Sequence, residues 1–254
     1  MTVPRDPTPL ALLGLKSSLE APTGTPKDNQ SSRRPGGTTR NNLISQQGER
    51  GRGHAALALH LSRIAVTMAA GAMLVVAYLN IDLVQQVSPI FDPVSDYVYY
   101  NGVAFVVSVL LLMAGGFAVT TGLTRAGVPH STGVKVLFGL WFLGLTLVAI
   151  FPGNPSVDVS TVAGEIHRFG GAVFLTSLPV ACWLLARSLR DHPVWMVTAG
   201  RLRGVAVVGV LTAASFGVAQ FVQWLPQGLL ERFALTAEVA LVIVLALTIR
   251  RAAR

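Results

Sequence analysis

The chain has 254 residues, of which 52% are hydrophobic and only 13% charged, and its formal net charge is +8. Ordinary water-soluble domains carry about a quarter charged residues, so this composition excludes that class. The positive charge comes with no recognisable nucleic-acid-binding module, so no nucleic-acid partner is expected. The basic residues are read instead as fixing topology and touching anionic lipid headgroups.

Residues 1–58 hold Pro, Ser, Gly, Asn, Gln and Arg with few long apolar side chains. Such a segment cannot bury enough apolar surface to offset its ordering entropy, and it is expected to be a disordered basic cytoplasmic tail. Its Leu10–Leu15 run is too short for a secretory signal and has no basic cluster before it. From residue 59 onward Val, Leu, Ala, Phe and Gly dominate. Crossing a bilayer core of about 30 Å takes roughly 20 helical residues. Six stretches qualify, at about 62–84, 100–122, 134–151, 168–187, 202–224 and 232–249. With no water in the bilayer to satisfy backbone groups, each must be a helix. The predicted fold is all-α: a polytopic bundle of six transmembrane helices preceded by the tail.

Charge orients the bundle. Of the 20 Lys and Arg residues, 18 fall in the tail, the 2–3 loop, the 4–5 loop and the C-terminal segment, which leaves only Arg168 and Arg232 for the other side. This asymmetry predicts cytoplasmic N- and C-termini in a plasma membrane. The acidic residues beyond the tail have the complementary distribution. Asp82, Asp92, Asp96, Asp158, Glu165 and Glu231 fall on the outer side, with Asp191 the exception. Together with Ser95, Tyr97, Asn154, His167, Arg168, Gln220, Gln223 and Arg232 they form an outer polar group spread over all three outer connections.

Each constellation has a bland and a sharp reading. Ser95 and Asp96, just before the second span, suit a helix N-cap, where side-chain oxygens accept unpaired amides and negative charge is favoured. The less favoured alternative makes Asp96 a metal ligand or general base facing a pocket. Glu165 and Arg168 are three residues apart and can pair on one helix face for little gain. His167 suits a hydrogen bond to an outer carboxylate such as Asp96. Alternatively, His167, Asp96 and Glu231 are candidate ligands for a divalent metal, or candidate catalytic acid–base groups. Glu238 lies seven residues after Glu231, on the same helix face and roughly 10 Å deeper. An ionisable residue inside a span needs a partner or a wet cavity, and Gln220, Gln223 or Arg168 are the candidates. Gly115-Gly116, Gly139, Gly144, Gly170-Gly171 and the Ala114-x-x-x-Ala118 pair are read as close helix–helix contacts. Pro179 predicts a kink in the fourth span. The buried Cys182, the only cysteine, allows no intramolecular disulfide. There is no phosphate loop, zinc-protease helix motif or nucleophile elbow.

Five short motifs in order carry a family resemblance. They are Asp92-Pro93-Val94-Ser95-Asp96-Tyr97, Phe151-Pro152, Gly164-Glu165-Ile166-His167-Arg168, Leu178-Pro179-Val180-Ala181 and Gly228-Leu229-Leu230-Glu231-Arg232. On six spans they resemble the DUF998 family of bacterial membrane proteins, over about residues 60–250. That resemblance implies six helices and a membrane location, and it brings no activity with it. A looser similarity to Frag1/DRAM-like membrane proteins, which share an outer Ser-Asp segment and a later His, implies lipid-related or regulatory roles. The expected function is therefore a non-enzymatic membrane protein whose outer polar group ties helices together and contacts lipid headgroups. The rivals are a membrane-embedded hydrolase or lipid-modifying enzyme using Asp96, His167 and Glu231, and a small proton-coupled transporter using Glu238.

Overall fold

Six long helices make up the computed structural model, which describes residues 37–155, 159–191, 195–222 and 224–253, with side chains from residue 53 onward. Residues 1–36 of the expected tail lie outside the described residues, as do Asp158, His192, Gln223 and Arg254. The helices are α1 (Gly37–Asp82), α2 (Val98–Arg125), α3 (Thr132–Ile150), α4 (Val162–Leu189), α5 (Met196–Ala219) and α6 (Gln227–Ala252). A single 3-10 turn, Val94–Tyr97, precedes α2. All six are long and apolar enough to cross a membrane, α1 over Gly53–Asp82. The chain is thus an all-helical, multi-pass membrane protein.

The helix ends follow local chemistry rather than hydropathy. Ser131 caps α3 by accepting from the Val134 amide, and Thr161 caps α4 by accepting from the Gly164 amide. The end of α2 is a left-handed glycine cap. Gly127 has φ +66°, its amide donates to the Thr124 carbonyl, and the Val128 amide donates back to Leu123. Val128 and Leu123, both buried, supply the apolar contact that accompanies this motif. At the other end of α2 the expected cap is not made, since Ser95 and Asp96 sit inside the 3-10 turn and cap nothing. The capping residue is Asn101, which leaves helical geometry (φ −144°, ψ 69°) and accepts the Ala104 amide on its side-chain oxygen. The fifth helix also departs from its expected span. It begins at Met196 and ends at Ala219, and residues 220–226 form the connection that Pro226 closes at the start of α6.

Packing centres on small residues. α3 and α4 make the most extensive contact in the bundle, and they touch backbone to backbone where Gly144 meets Gly170. A Cβ on Gly144 would lie 2.6 Å from both the Gly170 carbonyl oxygen and the Phe174 amide nitrogen. Gly115 brings α2 against Ala65 and Met68 of α1, and Gly116 lies flat against the Trp141 ring. Gly139 faces open space and contributes no contact. Ala114 is exposed, so the expected small-residue pair at 114 and 118 is not an interface within the chain; Gly115 and Gly116 take that role. α4 continues as one helix across Pro179, whose ring packs against Gly209 of α5.

Candidate functional site

The polar residues concentrate at the end of the bundle formed by the 1–2, 3–4 and 5–6 connections. Arg232, in the second turn of α6, is the hub. Its Nε donates to Asn80 Oδ1 of α1 at 2.7 Å, and one terminal nitrogen donates to the carbonyls of Asp92 (3.0 Å) and Gly228 (2.8 Å). The other donates to the Tyr97 hydroxyl at 2.7 Å, and that hydroxyl donates in turn to Asn80 Oδ1 at 2.8 Å. The planar guanidinium suits this task because its donors point in several fixed directions at once. Beside it the Glu231 carboxylate accepts the Val94 amide, and the Leu229 amide donates to the Ile90 carbonyl. The loop before α2 is thereby strapped onto the start of α6. Gly228 permits the approach, since a Cβ there would overlap the Asp92 carbonyl.

A second polar group lies on the 3–4 connection and the start of α4. Asn154 Oδ1 accepts from the Thr161 amide and hydroxyl. Glu165 accepts from Ser160 at 2.8 Å and pairs with Arg168 at 3.5 Å on the exposed helix surface, as its spacing predicts. His167 does not reach a carboxylate. Its Nδ1 donates to the Phe151 carbonyl at 2.7 Å, which fixes the ring and, in the neutral form, leaves Nε2 as an acceptor. Tyr99 joins the two groups by donating to the Gly153 carbonyl.

Both groups line an open-sided cavity of about 1160 Å³ in the bundle, above the roughly 300–1,000 Å³ of common ligand pockets. Asp92, Ser95, Asp96, Asn154, His167, Arg168, Gln220, Glu231 and Arg232 line its polar end. Its deeper walls are apolar: Ala72 and Met73 of α1, Phe105, Val109 and Leu112 of α2, Phe174 and Val180 of α4, Val210 and Phe216 of α5, and Val239 of α6. From Gln227 to Val239 it follows roughly 18 Å of α6. Gly171 and Gly217 also face it, with open space where their Cβ atoms would be. Asp96 has no hydrogen-bond partner for its carboxylate among the described residues, and the Gln220 side-chain nitrogen is enclosed without a partner. No group of three or more His, Cys, Asp or Glu side chains is placed to hold a metal ion among the described residues.

A match to the family model described as "Protein of unknown function (DUF998)" covers residues 67–248, most of the chain, from within α1 to near the end of α6. The chain belongs to the DUF998 family. Neither a curated protein nor a solved structure matches it.

In this DUF998 protein the outer polar residues described form two hydrogen-bonded groups that line one cavity and adjoin at Gly153, which lies beside both His167 and Ser95. Glu238 stands apart from both. It is 1% exposed, does not line the cavity, and accepts the Trp141 indole N–H at 2.9 Å. Its partner is therefore a tryptophan on α3 rather than Gln220 or Arg168. Asn80, Asn101 and Trp141 were not legible as functional partners. Asn80 and Asn101 did carry a signal, being lone amides inside otherwise apolar helices.

Proposed function

We propose that this protein is a non-enzymatic component of the bacterial plasma membrane, with both termini cytoplasmic, that holds one amphiphile from the surrounding bilayer. The observation that carries this reading is the cavity, whose polar end lies at one face of the bundle and whose apolar walls run inward along the helices. A headgroup belongs at the first and acyl chain at the second. The Arg232 network ties α1, the loop before α2 and α6 together and so keeps the mouth in shape. The Lys and Arg asymmetry supports an outward-facing mouth, with the basic loops against anionic lipid on the other side.

The test uses a plug. Gly171→Leu and Gly217→Leu each place a side chain into the cavity where no protein atom stands within 4 Å of the new Cβ. Both replace glycine in a helix by a strong helix former, so stability should hold or rise. The protein purified in mild detergent should carry co-purifying lipid by mass spectrometry, and the plugged variants should lose most of it. Equal lipid in wild type and plugged variants would overturn the reading.

A lipid-modifying hydrolase is the second reading. It is favoured by one observation, an oriented His167 and an unpartnered Asp96 lining the same cavity mouth. Release of labelled fatty acid from a lipid ester, abolished by His167→Ala at unchanged protein abundance, would put the enzyme first.

A further inference from the structure

At the basic end of the bundle, away from the cavity mouth, Arg203 of α5 sets its guanidinium carbon 5.0 Å from the centre of the Trp183 ring of α4. Arg187 follows Trp183 by one turn, on the same helix face. All three residues are exposed. Among the described residues neither of these arginines is neutralised. The arginines that donate hydrogen bonds are Arg232 and Arg251, and those in ion pairs are Arg168 and Arg190. Asp191, the acidic side chain described at this end, belongs to Arg190. A cation over an aromatic face is attracted by the ring yet spends none of its N–H groups on it, so the Arg203 donors remain available to oxygen acceptors.

Helix length sets the depth of this group. From Arg168 to Arg187 α4 runs roughly 28 Å with no charged residue between, and from Arg203 to its end α5 runs roughly 24 Å, also uncharged. A hydrocarbon core of about 30 Å therefore ends close to Arg187 and Arg203, with Trp183 just inside that boundary, where tryptophan is favoured. One turn further in, Val180 and Val207 continue the same two helix faces as exposed apolar surface. Pro179 against Gly209 holds the two helices together beside them.

We propose that Arg203, held over Trp183 and helped by the charge of Arg187, binds the phosphate of an anionic phospholipid in the leaflet on this side, with an acyl chain lying along Val180 and Val207. The proposal rests on the reading above that the basic end meets anionic lipid, and it gives that contact one defined site. A guanidinium forks onto two phosphate oxygens, and its position over the indole orients it before lipid arrives. A zwitterionic headgroup would bring its own cation beside two unpaired arginines, so a net negative lipid is preferred.

The full chain in mild detergent would be titrated by native mass spectrometry with phosphatidylglycerol and phosphatidylcholine of identical acyl chains, both as wild type and with the cavity plugged by Gly171→Leu. Glycerol lipid should bind at least about tenfold more tightly than choline lipid in both, as expected of charge-assisted hydrogen bonds. Arg203→Ala should remove that preference, Trp183→Leu should reduce it, and Arg203→Lys, which keeps the charge without the fork, should restore only part of it. Arg125→Ala removes one charge from the 2–3 loop and should leave the preference intact. If Arg125→Ala weakens glycerol lipid as much as Arg203→Ala does, or if Arg203→Lys or Trp183→Leu binds as wild type, the defined site fails while general attraction of anionic lipid stands. Equal binding of the two lipids would overturn both. A preference that vanishes in Gly171→Leu would place the lipid in the cavity and overturn the site at Arg203. Displacement of the lipid by soluble glycerol phosphate would show a site for free phosphate instead.

Discussion

Removing the Arg232 guanidinium tests whether the polar end is held together as described. Arg232→Met keeps the length and apolar stem of the side chain and deletes four hydrogen bonds, to Asn80, Asp92, Gly228 and Tyr97. Hydrogen bonds from a charged donor contribute about 1.5–3 kcal/mol each. The site is half-buried, so water can reach some of the orphaned acceptors, and the Tyr97 hydroxyl keeps its bond to Asn80. The expected loss is therefore well below the simple total, about 2–6 kcal/mol if two of the four neutral acceptors stay unpaired at about 1–3 kcal/mol each. Arg232→Lys separates geometry from charge. A lysine ammonium keeps the charge but cannot reach acceptors that surround the guanidinium on several sides, so it should recover less than half of the loss. Thermal unfolding in detergent, followed by the amount of monodisperse protein remaining on gel filtration, reads both variants. Wild-type stability in Arg232→Met, or full recovery in Arg232→Lys, would refute the account of the hub.

Two further predictions concern the bundle interior. Trp141→Phe removes the only hydrogen-bond donor to Glu238 among the described residues and should destabilise by about 1–3 kcal/mol from that loss, with a further cost for the space vacated. Glu238→Gln keeps an acceptor for the indole and should cost less. A double-mutant cycle over Trp141→Phe and Glu238→Leu should show coupling above about 0.5 kcal/mol, and a smaller value would mean that the pair contributes nothing of its own. Gly144→Ala should destabilise by about 1–3 kcal/mol, because its Cβ meets the α4 backbone. Gly139→Ala, facing open space on the same helix, should be neutral or up to about 1 kcal/mol stabilising; similar effects at the two sites in the same melting assay would contradict the α3–α4 contact.

The number and order of the helices were legible because apolar length is a sufficient signal for a membrane span. Their ends were less so. Hydropathy cannot distinguish the last turn of α5 from the turns after it, since Phe221, Val222, Trp224 and Leu225 are as apolar as the helix they follow. The shift of the α2 cap from Ser95–Asp96 to Asn101 has a related cause: three cap-competent residues lie close together, and only the strapping of the loop onto α6 decides among them. The harder loss was rotational. In a span apolar all round, nothing local says which face turns toward the lipid and which toward a neighbouring helix. Glu238 could thus be recognised as needing a partner, while the partner stayed hidden. Likewise, the titratable residues of the polar end could be gathered into one group, although His167 and Arg168 bond to Phe151 and Glu165 while Glu231 and Arg232 bond to the loop before α2. Gly228 read as part of a family motif. Its reason appeared only when the Asp92 carbonyl was found against it.

The Arg232 hub also has a consequence for biosynthesis. Its acceptors Asn80, Asp92 and Tyr97 are made more than 130 residues before the side chain that binds them. Until α6 emerges, the amide at the end of α1 and the phenol before α2 must wait at the membrane surface with each other and water as their only partners. The last helix therefore closes the structure as well as completing it, and a nascent chain stalled before Arg232 would leave the Asn80, Asp92 and Tyr97 acceptors without the donor that latches them.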